Sequence, residues 1–266
     1  MAAVSGKQYG VGARKAVIFA LNASGTPAAT DTSPYTGVQM VGVKTVDITI
    51  PDPQKKTHLG DDRALQIDYL PATEGISGTL TLAQDDHVAY ALLTSTNRIT
   101  VGESTAVGIN TSEQGNEPQV GLLTFQQSLD ANGVRNWRWF LMPKVILYPK
   151  PSGMSENVAV HTYTISPAVV TAHLWGTTFT STAEGFTEAQ GLIGMSRYMP
   201  SVCAWLATTS ATTFAFPSGV PAAATTNISV FVDGVADTAW TPTTTNITTS
   251  TAPGNSKRVV VFYEHN

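Results

Sequence analysis

The chain has 266 residues, of which 13% are charged, and its formal net charge is −4 at pH 7. This length allows one large β domain or two smaller domains with a buried core. The mild acidity and the absence of basic clusters argue against a nucleic-acid-binding surface. The single cysteine, Cys203, excludes an intrachain disulfide, and its apolar neighbours predict a small core residue.

No stretch of the sequence has the apolar length that a membrane span requires, and no secretion signal is apparent. We therefore expect a soluble chain that is made in a cytosol and has no membrane partner.

The most informative segment lies at residues 42–94. Three runs in it alternate apolar and polar residues, which predicts half-buried strands at 44–50, 65–69 and 76–82. In the first run Val46, Ile48 and Ile50 are expected to face the core together.

A short helix is predicted after these strands, because Asp85 and Asp86 precede an apolar run and supply an N-cap. Its expected buried face carries Val88, Ala91 and Leu92.

A polar connection separates the first two of these strands. It is thirteen residues long, whereas a hairpin needs only about two to five. Two interpretations remain open: a mobile surface loop, or an arm that becomes ordered only against another subunit. The residues of this candidate contact loop are Pro51, Asp52, Pro53, Gln54, Lys55, Lys56, Thr57, His58, Leu59, Gly60, Asp61, Asp62 and Arg63.

Short apolar or alternating runs elsewhere predict further strands. Residues 1–14 are interpreted as an arm, residues 101–119 as a long loop, and Pro143 as a strand break. Asn132-Gly133 indicates a hairpin turn. The predicted strands are 16–20, 120–129, 134–141, 144–148, 158–165 paired with 168–175, 213–216, 228–232, 247–249 and 259–263, with 183–198 left ambiguous.

Around Thr208 the composition shifts to Thr, Ala, Ser and Pro. We therefore predict a β domain at residues 1–207 and a small all-β domain at residues 208–266. The expected fold class is mainly β.

The sequence contains no phosphate loop, no dinucleotide fingerprint and no G-x-S-x-G nucleophile elbow. Asp61 and Asp62 beside Arg63 are interpreted as an ion pair. We expect no enzyme activity, no metal and no cofactor. The histidines are dispersed, and each is interpreted as structural: His58, His87, His161, His173 and His265.

Six short segments carry a resemblance to a known family over residues 8–205. They are Gly12-Ala-Arg-Lys-Ala-Val-Ile-Phe-Ala-Leu21, Tyr35-Thr-Gly-Val38, Gly60-Asp-Asp-Arg63, Asp130-Ala-Asn-Gly133, Tyr163-Thr-Ile-Ser-Pro167 and His173-Leu-Trp-Gly176. In this order they resemble the major tail protein, or tail tube protein, of long-tailed bacteriophages. Phe231-Val-Asp-Gly-Val235 and the closing strand are similar to small β modules appended to virion proteins.

The resemblance implies a β-sandwich or barrel with one flanking helix, copies of which form hexameric rings stacked into a hollow tube for DNA passage. The implied partners are the chain itself and other tail proteins (terminator, baseplate or tip, and tape measure). The implied location is the virion tail, after assembly in the bacterial host cytoplasm.

A stack of rings needs arms that reach the next ring, and residues 51–63 are the first candidate, followed by 1–14 and 101–118. A DNA conduit should not bind its cargo, so its wall should be acidic or neutral. The candidate lumen-facing acidic residues are Asp47, Asp68 and Glu74.

Two other functions are weighed beside this one. A capsid decoration or head-fibre protein would bind shells and form no tubes. A carbohydrate-binding adhesin would use residues 208–266, so deletion of that segment would abolish glycan binding.

Overall fold

The computed structural model describes residues 8–52, 54–60, 63–70, 75–83, 86–94, 98–102, 104–107, 117–150, 161–168, 170–171, 188–189, 191–249 and 251–265. Antiparallel strands dominate this part of the chain, which confirms the predicted mainly β fold. The helices described are α1 (His87–Leu93) and a 3-10 turn (Thr225–Asn227). The strands are β1 (Gln8–Ala20), β2 (Val38–Met40), β3 (Val43–Thr49), β4 (Gln54–Gly60), β5 (Arg63–Leu70), β6 (Ser77–Leu82), β7 (Arg98–Val101), β8 (Ser104–Val107), β9 (Val120–Asp130), β10 (Arg135–Lys150), β11 (His161–Pro167), β12 (Val170–Thr171), β13 (Glu188–Ala189), β14 (Leu192–Ser196), β15 (Met199–Leu206), β16 (Thr213–Ala215), β17 (Ile228–Val232), β18 (Val235–Ala236), β19 (Trp240–Pro242), β20 (Asn246–Thr249) and β21 (Arg258–His265).

Eight strands form one sheet that curls back on itself. Its order is β2-β1-β9-β10-β11-β6-β3. The long strand β10 pairs with β14 along residues 137–141 and with β11 along residues 145–150. β2 and β3 lie at opposite ends of this order, yet only Val41 and Gly42 separate them in the chain. The Cα atoms of Met40 and Val43 are therefore at most about 11 Å apart, and the two ends of the sheet must approach each other. We call this element the curled sheet.

The concave side of the curled sheet holds the first hydrophobic core, and α1 contributes to it. The buried residues of this core are Ala16, Ile18, Met40, Leu80, Leu82, Ala89, Leu93, Val120, Leu122, Met142, Val145, Leu147, Tyr163 and Ile165.

Asp86 caps α1 as predicted, because its Oδ1 accepts hydrogen bonds from the backbone N–H groups of Val88 and Ala89, both at 3.0 Å. The predicted buried face is wrong in part. Ala89 and Leu93 are fully buried, whereas Val88 is 42% exposed. The cap sets where this seven-residue helix starts, and that start sets which side chains face the core.

The C-terminal strands form a sandwich of two sheets. One sheet has the order β15-β21-β17-β18 and the other β16-β20-β19. Aromatic side chains fill the space between them: Trp205 lies 5.8 Å from Phe214, and Phe216 stacks on Tyr263 at 4.5 Å, measured between ring centroids. Strand β15 precedes residue 208, where the second domain is predicted to begin, and pairs along its whole length with β21.

A third apolar layer joins the sandwich to the convex side of the curled sheet. Phe19, Leu123 and Leu141 from the curled sheet are buried against Val202 and Val260 of the sandwich. The sandwich is therefore attached through a shared core, and the backbone of β1, β9 and β10 is held between two packed layers.

The predicted loop at residues 51–63 is wrong as secondary structure. Residues 54–60 form β4, which pairs with β5, and the strand at 44–50 pairs with β6 and not with its sequence neighbour β5. Ile50, predicted to face the core, is 55% exposed, since β3 ends at Thr49 and Ile50 lies beyond it.

Pro143 does not end a strand, because β10 continues through it to Lys150. Proline has no N–H to donate. The β14 pairing ends at Leu141, the β11 pairing begins at Val145, and the β9 register shifts between Met142 and Val145. The proline therefore occupies the place where no neighbouring strand requires a donor.

Three other predictions also differ from the structure. β11 pairs with β10 and β6 and not with the predicted partner at 168–175. Within that range the structure describes the short strand β12, which pairs with β13. Residues 8–14 belong to β1 and not to an arm. The predicted loop at 101–119 includes β8, which pairs with β7.

Candidate assembly surface

The β4–β5 hairpin is a two-stranded sheet of its own and pairs with no other strand in the described part of the chain. It leaves β3 after the pair formed by Thr49 and Ser77 and returns to β6, so it is inserted between two neighbouring strands of the curled sheet. Seven residues of β4 span about 23 Å. We call this hairpin the arm.

The backbone of the arm forms two paired strands where the sequence predicts a loop, but a hairpin of this kind has little stability of its own. An isolated two-stranded hairpin is only marginally stable in water. The sequence of β5 alternates Leu65, Ile67 and Tyr69 with polar residues, which predicts an apolar side. Lys55 and Lys56 of β4 are exposed. A hairpin that pairs with no other strand among the described residues, and for which the sequence predicts an apolar side, favours a partner outside the chain.

A second feature lies on β10 and β14. Their register places Phe140 opposite Ile193 and Arg138 opposite Met195, so these four side chains share one side of the sheet. Ile193 and Met195 are 50% and 48% exposed. We call these four residues the open face.

A cavity of about 280 Å³ adjoins the open face. Thr124 lines the cavity and is only 2% exposed, and its hydroxyl has no hydrogen-bond partner among the described residues. The cavity therefore has a lining of mixed polarity, in which apolar side chains alternate with Asp47, Gln126 and Arg138. The residues that line it are Val46, Asp47, Ile48, Thr124, Phe125, Gln126, Arg138 and Phe140.

The open face is cationic at its edge. The Arg138 guanidinium lies 5.3 Å from the centre of the Phe140 ring, and the Nη1 of Arg197, next to β14, donates to the carbonyl of Arg135 at 3.1 Å. Neither Arg138 nor Arg197 forms an ion pair with a carboxylate of the described residues. Within the described residues these two cations lie beside an apolar surface, and Asp47 lines the same cavity as Arg138.

Several strands have an edge without a partner in the described part of the chain, and β3 and β14 of the curled sheet are two of them. β3 pairs only with β6, and β14 pairs only with β10. The second edge of each strand presents backbone N–H and C=O groups that another strand can use.

Of the three acidic residues predicted to face a lumen, the structure describes the side chain of Asp47 alone. Asp47 is exposed on β3. Asp68 belongs to β5 in the separate arm, its side chain lies outside the described residues, and Glu74 does so entirely. Their common position along a lumen stays a prediction.

The contact loop is described in part. Pro51 is half-buried, and Asp52, Lys55 and Lys56 are exposed. The backbones of Gln54, Thr57, His58, Leu59, Gly60 and Arg63 belong to the arm. Pro53, Asp61 and Asp62 lie outside the described residues.

The histidines are as dispersed as the sequence suggests. His87 is exposed, His161 is half-buried and His265 is 7% exposed, whereas His173 lies outside the described residues. Across the described ranges, no three His, Cys, Asp or Glu side chains are grouped in a way that would hold a metal ion.

Cys203 is confirmed as a small core residue. It is fully buried, and its Sγ lies 3.6 Å from the hydroxyl of Tyr263. Burial raises the pKa of the thiol to about 12, and the hydrogen bond that the thiol donates to the Tyr263 hydroxyl is the smaller, opposing cause. The thiol is therefore protonated and protected at neutral pH.

Sequence reasoning missed the open face. The three glycines between 183 and 198 hid β14, although apolar residues on both sides of Gly194 were the available signal. Such a pattern is typical of a strand with both sides partly covered.

The one α-helix of the described residues has seven residues, and none of their helices is long and apolar enough to cross a membrane. In comparisons with known proteins, no family model matches the chain, and no curated protein matches it.

Proposed function

We propose that this chain is a structural virion protein of a long-tailed bacteriophage, which assembles with copies of itself into stacked hexameric rings that form the tail tube. The observation that carries the proposal is the arm: a two-stranded extension with no strand partner in the described part of the chain. The family and the sixfold symmetry come from the sequence resemblance.

The free edges of β3 and β14 support the formation of a ring. They lie on different strands of one chain, so pairing between them joins two copies head to tail. A head-to-tail contact generates a ring when its rotation closes. Strand pairing would also remove two edges that otherwise favour aggregation.

The arm supports stacking of rings, because it extends beyond the pair formed by Thr49 and Ser77. The sandwich supports a decorated outer surface, since Val202 and Val260 pack it against the convex side of the curled sheet.

The charge of the chain fits a conduit that does not retain DNA. The net charge is −4, and Asp47 is exposed on β3. A surface of this sign neutralises no phosphates, so no counterion release favours binding. DNA then passes without specific contacts, and the partners are other copies together with the terminator, baseplate or tip and tape-measure proteins of the tail.

The test is the assembly state of the purified full chain. Negative-stain microscopy is expected to show rings or hollow tubes, and light scattering after size exclusion should give the mass of six chains or a multiple of it. Monomers at every concentration would contradict the proposal. Binding to capsids without rings would favour a decoration protein, and glycan binding that is lost on deletion of residues 208–266 would favour an adhesin.

A variant without the arm tests whether the arm is needed to form tubes. In it a short Gly-Ser turn joins residue 52 to residue 75, since β3 and β6 already pair with each other. We expect single rings or monomers in place of tubes. Protection of the Cys203 thiol reports whether the variant is folded.

A further inference from the structure

We propose that the cavity lined by β3, β9 and β10 binds a small monocarboxylate that has an apolar body. The site lies within one copy of the chain, so this inference goes beyond the proposed structural role and does not depend on assembly.

The pairing of β9 and β10 builds one wall of the cavity. Thr124 lies opposite Phe140, and Gln126 lies opposite Arg138. Directly opposed residues, and residues two positions apart on one strand, share one side of a sheet. All four residues line the cavity, so they form one continuous surface with polar and apolar members.

This wall contains polar groups that the described residues leave unused. Thr124 is only 2% exposed, and its hydroxyl has no hydrogen-bond partner among those residues. An unpaired polar group lowers stability when it is buried, and a ligand oxygen would remove this cost. Arg138 is exposed, and neither its guanidinium nor the amide of Gln126 forms a hydrogen bond or an ion pair within the described part of the chain.

The hydrogen-bond donors of this wall match a carboxylate. The guanidinium of Arg138 and the amide of Gln126 present N–H groups, and the hydroxyl of Thr124 can donate as well. Thr124 and Arg138 are diagonal neighbours across the two strands, a separation of about 7–8 Å that long side chains bridge. A carboxylate held between them accepts charge-assisted hydrogen bonds, which are about twice as strong as neutral ones.

The rest of the surface favours an apolar body on the ligand. Val46 and Ile48 of β3 line the cavity, are half-buried and pack against the first core. Ile193 and Met195, opposite Phe140 and Arg138, extend the wall onto β14 and are half exposed. The volume of about 280 Å³ is close to the lower limit of about 300 Å³ for small-molecule sites, so the ligand has on the order of ten non-hydrogen atoms.

Asp47 also lines the cavity, and its charge opposes that of Arg138. On β3 it lies between Val46 and Ile48, whose side chains pack against the first core, and Asp47 itself is exposed. Because successive side chains of a strand point to opposite sides, the carboxylate of Asp47 lies on the side away from that core. The positive charge of Arg138 therefore decides which ligand charge the site accepts.

Calorimetric titration of the full chain with sodium octanoate tests the proposal. Octanoate has ten non-hydrogen atoms, and 1-octanol has the same apolar body without the charge. We expect one octanoate per chain, bound at least about tenfold more tightly than 1-octanol, because only the carboxylate forms charge-assisted hydrogen bonds. Arg138→Met, which keeps an apolar side chain of similar length, should weaken octanoate binding about tenfold or more.

Thr124→Val separates a ligand contact from a structural role. It should weaken octanoate binding about fivefold and at the same time raise the melting temperature of the free chain, because it removes a buried hydroxyl without a partner. Thr164→Val is the matched control. The hydroxyl of Thr164 is also buried and unpaired among the described residues, but Thr164 does not line the cavity, so octanoate binding should stay within about twofold.

The orientation of Asp47 is tested by Asp47→Asn. We expect octanoate binding to change by less than about twofold, since an exposed charge on the far side of β3 is screened by water and salt. A gain of about tenfold or more would show that Asp47 faces the ligand and would overturn the selectivity for a carboxylate.

Three results would overturn the site itself. They are equal binding of octanoate and 1-octanol, unchanged octanoate binding by Arg138→Met, and equal losses in Thr124→Val and Thr164→Val. Each would show adventitious insertion of an apolar chain only. None of them touches the tail tube proposal, whose test is the assembly state of the chain without octanoate.

Discussion

Gly194 lies so close to the indole of Trp139 that a β-carbon at Gly194 would overlap the six-membered ring. The side of β14 that faces inward is thus fixed by one residue without a side chain. The register that follows from this contact places Ile193 and Met195 outward, where they form half of the open face.

We expect Gly194→Ala to lower the free energy of unfolding by about 1–3 kcal/mol, because overpacking displaces an indole that already contacts Phe262. Urea denaturation measures the change. Ile193→Ala, on the exposed side of the same strand, is the control and should stay within about 0.5 kcal/mol of the unsubstituted chain. Equal stability of the two variants would show that the contact does not fix β14.

Tyr35 connects the curled sheet to the sandwich. Its hydroxyl accepts a hydrogen bond from the backbone N–H of Ala20 at 2.8 Å, and its own backbone pairs with Ala204 in both directions. We expect Tyr35→Phe to cost about 1–2 kcal/mol, since the N–H of Ala20 loses its acceptor. Thermal unfolding measures the loss.

The matched control for this substitution is Tyr90→Phe. Tyr90 is half-buried on α1, and its hydroxyl has no hydrogen-bond partner among the described residues. We expect a change of less than about 0.5 kcal/mol. If both variants lose the same stability, the effect belongs to the hydroxyl group in general and not to the contact with Ala20.

Asp86 is expected to set the stability of α1. Asp86→Ala removes the acceptor for the N–H groups of Val88 and Ala89 and should cost about 1 kcal/mol. That loss corresponds to a fall of about 2–4 °C in the melting temperature. Asp86→Asn keeps an acceptor oxygen and should retain most of the stability, so an equal loss in both variants would argue against the cap.

Cys203 gives a prediction for alkaline pH. Burial raises the pKa of its thiol from 9.0 to about 12 in the folded chain. The unfolded chain therefore releases this proton first, and the contribution of Cys203 to stability is complete below about pH 9 and is lost as the pH rises toward 12.

Denaturant titrations from pH 7 to pH 11 compare the chain with Cys203→Ala, which lacks the titrating group. The stability advantage of the cysteine should shrink above pH 9. A thiol reagent should label Cys203 at pH 8 only as fast as the chain unfolds, since the side chain is fully buried. Rapid labelling of folded protein would contradict the assigned position of this residue.

Local signals in the sequence determined a large part of the secondary structure. The alternating run at 228–232 became β17 with the predicted bounds, and Asn132-Gly133 became a turn in which Gly133 has a φ of 76°. Asp86 became the cap of the only α-helix among the described residues. These features depend on side-chain alternation, backbone sterics and short-range hydrogen bonds, all of which act within a few residues.

Only the tertiary structure decided which strands pair and which surfaces remain open. The run at 44–50 pairs with β6 and leaves the intervening residues to form the arm, a choice that depends on contacts between distant segments. The open face arises because Phe140 and Ile193 become neighbours across more than fifty residues of chain. A period of two shows that a strand has two sides, but the covering of each side depends on the element that packs against it.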